Sequence, residues 1–200
     1  VANRTEYNEE TGGRISRPEN VNGNWNARAN FNFNSAFMAD PRFRMSMGTN
    51  IGHTNSVGYV YRSQEQATIK NITRGTNMGQ SLRFTFREEY LEVNVNGNVR
   101  YNRSRSTANT AGNQDTWNFN YGGSLLARLP WNMQISTDIG QHSRRGYSAK
   151  SMNTNELIWN ANVSQSFLKG NPLNLRLTWH DILDQRDDVS RNVSPTGPTE

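Results

Sequence analysis

The chain of 200 residues contains no cysteine, which removes disulfides, zinc-thiolate sites and cysteine nucleophiles together. No run of eighteen apolar residues occurs, so a transmembrane helix is excluded, while a β-barrel is not. Hydrophobic residues make up only 33% of the chain, and the mean hydropathy is strongly negative. A conventional soluble core is undersupplied. With three histidines, catalysis has little to work with. No signal peptide opens the sequence and Val1 follows no initiator Met, so the residues are expected to start inside a longer precursor or after processing.

What is present is alternation. In Trp25-Asn26-Ala27-Arg28-Ala29-Asn30-Phe31-Asn32-Phe33-Asn34 the odd positions are apolar or small and the even ones are Asn or Arg. A period of two makes a strand with one apolar and one wet face. The pattern returns with Phe43, Met45, Met47 and Ile51, with Met78, Leu82, Phe84 and Phe86, and with Leu91, Val93, Val95, Val99 and Tyr101. It continues with Trp117, Phe119, Tyr121, Leu125 and Ala127, with Met133, Ile135 and Ile139, with Leu157, Trp159, Ala161, Val163 and Phe167, and with Leu173, Leu175, Leu177 and Trp179.

Tight turns are expected at Met38-Ala39-Asp40-Pro41, Glu88-Glu89-Tyr90, Leu129-Pro130-Trp131-Asn132 and Lys169-Gly170-Asn171-Pro172. Polar loops are expected from Ser56 to Thr76, from Arg103 to Thr116 and over 141–155, with a polar tail after Asp184 that forms no strand. Short turns at one end and long loops at the other are the signature of a transmembrane β-barrel. The fold class is therefore all-β, an antiparallel transmembrane β-barrel segment of about eight strands in four hairpins. Residues 1–23 read as an extracellular lead-in, 24–183 as barrel strands and 184–200 as an extracellular loop. The 29 asparagines concentrate at polar strand positions that β-propensity disfavours. An aqueous lumen accounts for them.

Two side-chain patterns sharpen the reading. Arg28, Arg44, Arg83, Arg87, Arg100, Arg128 and Arg176 all fall in the polar register, where none faces lipid; an arginine on the lipid side near the midplane costs about 2–4 kcal/mol. Trp25, Tyr101, Trp117, Trp159 and Trp179 fall near the loop ends and Trp131 near the turn end, as two interfacial belts require. Arg103, Arg105, Arg144 and Arg145 fall near the outer leaflet, where the guanidinium fork suits lipopolysaccharide phosphates; solvated loop charge accounts for them as well. Dispersal of arginine along the strands argues against nucleic acid.

His180-Asp181 has the composition of a base and its orienter, but no nucleophile stands at a motif spacing, and a strand-end pair is the simpler reading. His53 and His142 are lone histidines, which rarely ligate metal. The acidic pairs Glu9-Glu10 and Asp187-Asp188 read as solvated charge. No catalytic, cofactor or metal site is expected, and the chain does not read as an enzyme.

The stretches Asn22-Gly23-Asn24-Trp25-Asn26, Leu129-Pro130-Trp131-Asn132-Met133, Ser143-Arg144-Arg145-Gly146-Tyr147, Met152-Asn153-Thr154-Asn155-Glu156-Leu157-Ile158-Trp159-Asn160, Ser166-Phe167-Leu168-Lys169-Gly170-Asn171 and Trp179-His180-Asp181-Ile182-Leu183-Asp184-Gln185 resemble the C-terminal barrel region of TonB-dependent-receptor-like outer-membrane β-barrel proteins. The resemblance implies a barrel of about 22 strands in the outer membrane of a Gram-negative bacterium, importing a bulky nutrient. It implies as partners membrane lipid and lipopolysaccharide, the remaining strands and plug of the same protein, the TonB complex and a surface lipoprotein. From the residues alone two other readings stay open: a small eight-stranded structural or adhesive barrel, and a soluble extracellular β-sandwich. Small inward positions such as Gly48, Gly52, Ser46, Gly122 and Ser136 favour a wide lumen over the filled interior of eight strands.

Overall fold

The structure is a computed structural model that describes residues 2–7, 13–36, 40–62, 67–167, 173–186, 192–194 and 197–199. The expected turn residues Met38-Ala39 and Lys169-Gly170-Asn171-Pro172, and the pairs Glu9-Glu10 and Asp187-Asp188, lie outside them. Eight strands form one antiparallel sheet: β3 Trp25–Ala36, β4 Phe43–Arg62, β5 Ala67–Arg87, β6 Leu91–Ser106, β7 Gln114–Leu129, β8 Met133–Arg145, β9 Asn155–Phe167 and β10 Leu173–Trp179. Each pairs only with its chain neighbours, and the registers run without a bulge. Two ribbons form separate two-stranded sheets, β1 Ala2–Tyr7 with β2 Arg14–Glu19 and β11 Asn192–Ser194 with β12 Gly197–Thr199. No described helix exceeds the single 3-10 turns Thr110–Gly112 and Lys150–Met152, and none is long and apolar enough to cross a membrane.

The short connections have local causes. Glu88 and Leu91 exchange backbone hydrogen bonds of 2.8 and 3.3 Å, closing a loop on Glu89-Tyr90. The three residues Pro130, Trp131 and Asn132 join β7 to β8 with Asn132 at φ 61°, a left-handed position that Asn tolerates better than other non-glycine residues. At the first turn the Phe43 amide donates to the Asp40 carbonyl at 3.1 Å, and the Asp40 carboxylate accepts from the Arg42 amide at 2.9 Å and its guanidinium at 2.8 Å.

Strand stagger carries the geometry of the sheet. A single ladder row runs Phe43, Phe86, Val93, Leu125, Thr137, Ala161, Trp179. It starts at the first residue of β4, beside a tight turn, and ends at the last residue of β10, at the opposite end of the sheet. The row thus climbs about one residue per strand, which with a rise of ~3.3 Å and a spacing of ~4.8 Å is a tilt of roughly 35°. Barrel strands tilt by that amount, and the stagger is what lets Phe43 and Trp179 share a row while standing at opposite ends.

Two expectations are corrected, the loop from Ser56 to Thr76 and the strandless tail after Asp184. Ser56 to Thr76 is no loop: β4 and β5 continue as a ladder to Arg62 and Ala67. Residues 1–23 contain the β1–β2 ribbon, which packs on the outer part of that hairpin through Thr68 Oγ1 donating to the Thr5 carbonyl at 2.5 Å and Tyr59 OH donating to Glu19 at 2.9 Å. The tail after Asp184 includes the β11–β12 ribbon.

Candidate functional site: two faces of a staggered sheet

The ladder fixes which residues share a face, because residues paired across strands project to one side and their chain neighbours to the other. One face carries Phe43, Met45, Met47 and Ile51 of β4, Phe84 and Leu82 of β5, Val93 and Val95 of β6, Leu125 of β7, Ile135 and Ile139 of β8, Trp159 of β9 and Leu173, Leu175 and Leu177 of β10. Among the described residues nothing covers it: Leu173, Leu175 and Leu177 are 62, 53 and 50% exposed, and the buried hydrophobic residues are Val57 and Met152. Leaving a large apolar side chain in water forfeits about 1.5–3 kcal/mol, so a handful already outweighs a net stability of about 5–15 kcal/mol. This face requires an apolar solvent.

The opposite face is mostly polar. Arg28 pairs with Gly52, Arg44 with Thr85, Arg83 with Ser46 and Asn96, Arg87 with Glu92, Arg100 with Gly79 and Asn118, Arg128 with Gln134, and Arg176 with Ser164. Following the rows puts all seven on that one face, where the sequence places them. Its side chains bond mainly to each other: Thr85 Oγ1 donates to Asn94 Oδ1 at 2.8 Å, Asn160 to Asp138 at 2.8 Å, Asn162 to Thr178 at 2.8 Å, and Arg87 Nε to Glu92 at 2.9 Å. Leu126, Ile158 and Val60 interrupt it. Small residues keep the surface low: the amides of Asn50 and Asn77 lie over Gly79 and Gly52 on the facing strand.

Of the grooves on the polar face, two stand at its ends. Near the turn end one is lined by Arg44, Arg83, Arg87, Glu92 and Asn94. Near the loop end the other is lined by Arg100, Asn118, His142, Arg144, Tyr147 and Glu156. There the Arg144 guanidinium stands 4.6 Å from the Tyr147 ring centre, Tyr147 OH donates to Asn118 at 3.0 Å, and His142 Nδ1 hydrogen-bonds with Asn120 at 2.8 Å. These are hydrogen-bonding and cationic surfaces. Among the described residues no group of three or more His, Asp or Glu is placed to hold a metal.

Aromatic side chains mark both ends of the apolar face. Toward the loops, Trp25 stacks on His53 at 5.0 Å, Tyr101 meets Trp117 at 4.7 Å, and Trp159 Nε1 donates to Thr137 Oγ1 at 2.8 Å, with Trp179 closing β10. Toward the turns, Phe43 packs on Phe86 at 4.7 Å, with Trp131 in the β7–β8 turn. An indole or phenol whose polar edge is satisfied suits the headgroup level.

The four loop-end arginines separate. Arg103 and Arg105 lie on β6, not in a loop, and Arg145 ends β8; all three are in the apolar-face register, Arg145 directly across from Trp117. Arg144 is on the polar face, across from Asn118. The sequence reading missed two participants here. Arg74 pairs with Arg105 across β5 and β6, and Asp115 holds an ion pair with Arg105 and stands 3.9 Å from Arg103. The Arg105 hydrogen bond, with that of Tyr101, holds the Asp115 carboxyl below its ordinary range. Counting even positions back from Met78 places Arg74 on this face.

His180-Asp181 is not a base and orienter pair. Asp181 accepts from the Gln185 and Arg186 amides at 3.2 and 2.8 Å, and its own amide donates to Asn160 at 2.9 Å. It caps the segment after β10. His53 and His142 sit on opposite faces, bonded to Thr76 at 2.9 Å and to Asn120.

A bare apolar face, a polar face of asparagine and arginine, and staggered strands leave one architecture. The family model of the outer membrane protein beta-barrel family matches residues 53–197. The chain belongs to this family. Comparison with curated proteins and with solved structures finds no match. As an outer-membrane barrel of a Gram-negative bacterium, the protein presents its apolar face to lipid and its polar face to the lumen. Short turns of such barrels are periplasmic and long loops extracellular.

Proposed function

We propose that these strands are part of a TonB-dependent transport barrel of about 22 strands, a count typical of plugged transporters, that imports a bulky nutrient across the outer membrane. The observation that carries the reading is the combination of a polar, small-residue lumen wall with two open sheet edges. Among the described residues, β3 and β10 pair on one side only, and every residue of both strands is exposed. An unpaired strand edge does not persist in hydrocarbon, where each unmet backbone group costs several kcal/mol, so further strands of the same protein are needed on both sides. A small closed barrel fills its interior with side chains. Here glycine and serine line the wall, as at Gly48, Gly52, Ser46, Gly122 and Ser136. The cationic grooves at the two ends of the lumen face suit an anionic or hydrogen-bonding cargo and an acidic plug surface.

Two measurements test this on the full-length protein. A cryo-EM structure is expected to show additional strands hydrogen-bonded to β3 and β10; β3 paired with β10 overturns the large barrel. Cells lacking the gene are expected to lose uptake of at least one nutrient too bulky for porins, and a protonophore is expected to abolish the same uptake in wild-type cells. Uptake indifferent to the protonophore overturns energised transport.

A further inference from the structure

On the lumen face near the loops, two ladder rows lie side by side. Arg100, Asn118 and Arg144 form one, on β6, β7 and β8, and the Arg144 amide extends it by donating to the Thr154 carbonyl at 2.9 Å. Asn120, His142 and Glu156 form the next row inward, on β7, β8 and β9. Arg100 and Arg144 leave the wall about 10 Å apart, two strand spacings, with Asn118 between them. The chain between β8 and β9 closes one side of this groove. Its Gly146 has φ 80° and stands so close to the Asp115 carbonyl that no Cβ fits. Beyond it the Tyr147 amide donates to Asn153 Oδ1 at 3.0 Å, and Asn153 Nδ2 donates back to the Tyr147 carbonyl at 2.9 Å. The tyrosine is held in place before any ligand arrives.

Tyr147 sets the donors of the first row. Its ring centre stands 4.6 Å from the Arg144 guanidinium, and its OH donates to Asn118 Oδ1 at 3.0 Å, which leaves the Asn118 amide protons to donate elsewhere. Arg100 carries no ion pair among the described residues. Charge then selects the guest. Two guanidinium groups against the single Glu156 carboxylate leave one positive charge over, with His142 neutral. A phosphate brings more than one negative charge and would crowd Glu156 without a further cation to meet it. A carboxylate brings one, and its plane matches the two parallel donors of an arginine fork. We propose that this groove binds a single carboxylate of the cargo, gripped by Arg100 and Arg144 with Asn118 between them, while Asn120, His142 and Glu156 hydrogen-bond the hydroxyl or amide groups beside it. Treating the guest as cargo rests on the transport reading; the affinity for a carboxylate does not.

The test is binding of small carboxylates to the full-length protein in detergent, read by saturation-transfer NMR titration. Two pairs of probes separate the sources of the group: methyl galacturonoside against its methyl ester, and N-acetyl-tetraalanine against its C-terminal amide. At least one pair is expected to show about tenfold tighter binding of the free acid, the scale of charge-assisted hydrogen bonds. A preference in the first pair alone assigns an acidic sugar, in the second alone a peptide terminus, and in both a grip on the carboxylate whatever carries it. Arg100→Gln and Arg144→Gln are each expected to remove the preference, and Arg128→Gln, on the same face at the turn end, to keep it. Should Arg100→Gln fold poorly, Arg100→Lys retains charge without the fork, and the preference is expected to fall to about threefold. Acid and neutral forms bound equally in both pairs overturn the site. So does full preference in both Arg100 variants, a loss in Arg128→Gln equal to that in Arg100→Gln, or methyl galactoside 6-phosphate bound as tightly as the galacturonoside. Uptake indifferent to a protonophore, which overturns transport, moves none of these affinities.

Discussion

The inner and outer halves of the β4–β5 hairpin are one continuous ladder with two different surfaces. From Phe43 opposite Phe86 to Ile51 opposite Met78, the outward positions are almost all apolar, interrupted by Thr49 hydrogen-bonded to Gln80 at 2.7 Å. Beyond His53 opposite Thr76, the same register carries Asn55 opposite Arg74, Tyr59 opposite Lys70 and Tyr61 opposite Thr68. The inward register changes too, from Ser46 opposite Arg83 to Val60 opposite Ile69. Backbone pairing is indifferent to this change, because the same amides and carbonyls meet in both halves. What each half displays is decided by the medium around it: hydrocarbon for the first, water and the β1–β2 ribbon for the second. About 9–11 tilted residues cross a bilayer, so a strand of 20 residues such as β4 extends well outside it.

An arginine placed on the outward register should separate the halves most sharply. Leu82→Arg is expected to cost about 2–4 kcal/mol in the lipid half, and Tyr61→Arg about 0–1 kcal/mol in the outer half. Denaturant unfolding of the full-length protein in lipid vesicles measures both. Equal costs would erase the boundary drawn between them.

Glycine substitutions sharpen the contrast at smaller cost. A Cβ on Gly122 meets the Ile139 carbonyl and lies 2.9 Å from the Cα of Gly140, its partner across β7 and β8. Here only a missing side chain lets the two backbones approach. Gly75, in the outer half, has nothing within 4 Å of the same position. Gly122→Val is expected to destabilise by about 1–3 kcal/mol through overpacking, and Gly75→Val to be neutral or slightly favourable, since valine suits an extended strand. The same unfolding assay reads both, and a neutral Gly122→Val would contradict the close approach.

The smallest effect belongs to the first periplasmic turn. Hydrogen bonds from the Arg42 side chain and amide hold the Asp40 carboxyl below its ordinary range. A carboxylate depressed in the folded state contributes stability above its unfolded pKa, and that contribution fades as pH falls through the lowered value. Exchange of the Arg42 and Phe43 amides is therefore expected to accelerate below the ordinary carboxylate range, and Asp40→Asn to flatten the dependence. An unchanged pH profile in Asp40→Asn would remove the turn as its source.

The inner half was legible in the sequence because a membrane enforces alternation: Met45, Met47 and Ile51, or Val93 and Val95, have no other reason to skip every second position. The turns at Glu88-Glu89-Tyr90 and Leu129-Pro130-Trp131-Asn132 were legible for the same reason, as breaks in that alternation. Ser56 to Thr76 was not. Tyr59, Val60 and Tyr61 are consecutive and put bulky residues on both faces, so a ladder held by backbone hydrogen bonds resembles a loop when read for hydrophobic period. Arg103 and Arg105 were read as loop charge on similar grounds, since apolar alternation stops at Tyr101 while β6 runs on to Ser106. That Arg28, Arg44, Arg83, Arg87, Arg100, Arg128 and Arg176 share one face was legible from parity alone. The pairing of Arg74 with Arg105 needed the register between two strands separated by a turn.

Because every strand of the sheet pairs only with its chain neighbours, each hairpin is a self-contained unit that leaves and returns to the periplasmic side. Removing or duplicating one such unit keeps the inside and outside of every other strand unchanged, whereas a single-strand change would invert all that follow. A gene built this way can enlarge or shrink its pore by recombination in steps of two strands, with the circumference as the evolving variable and the wall as a fixed part.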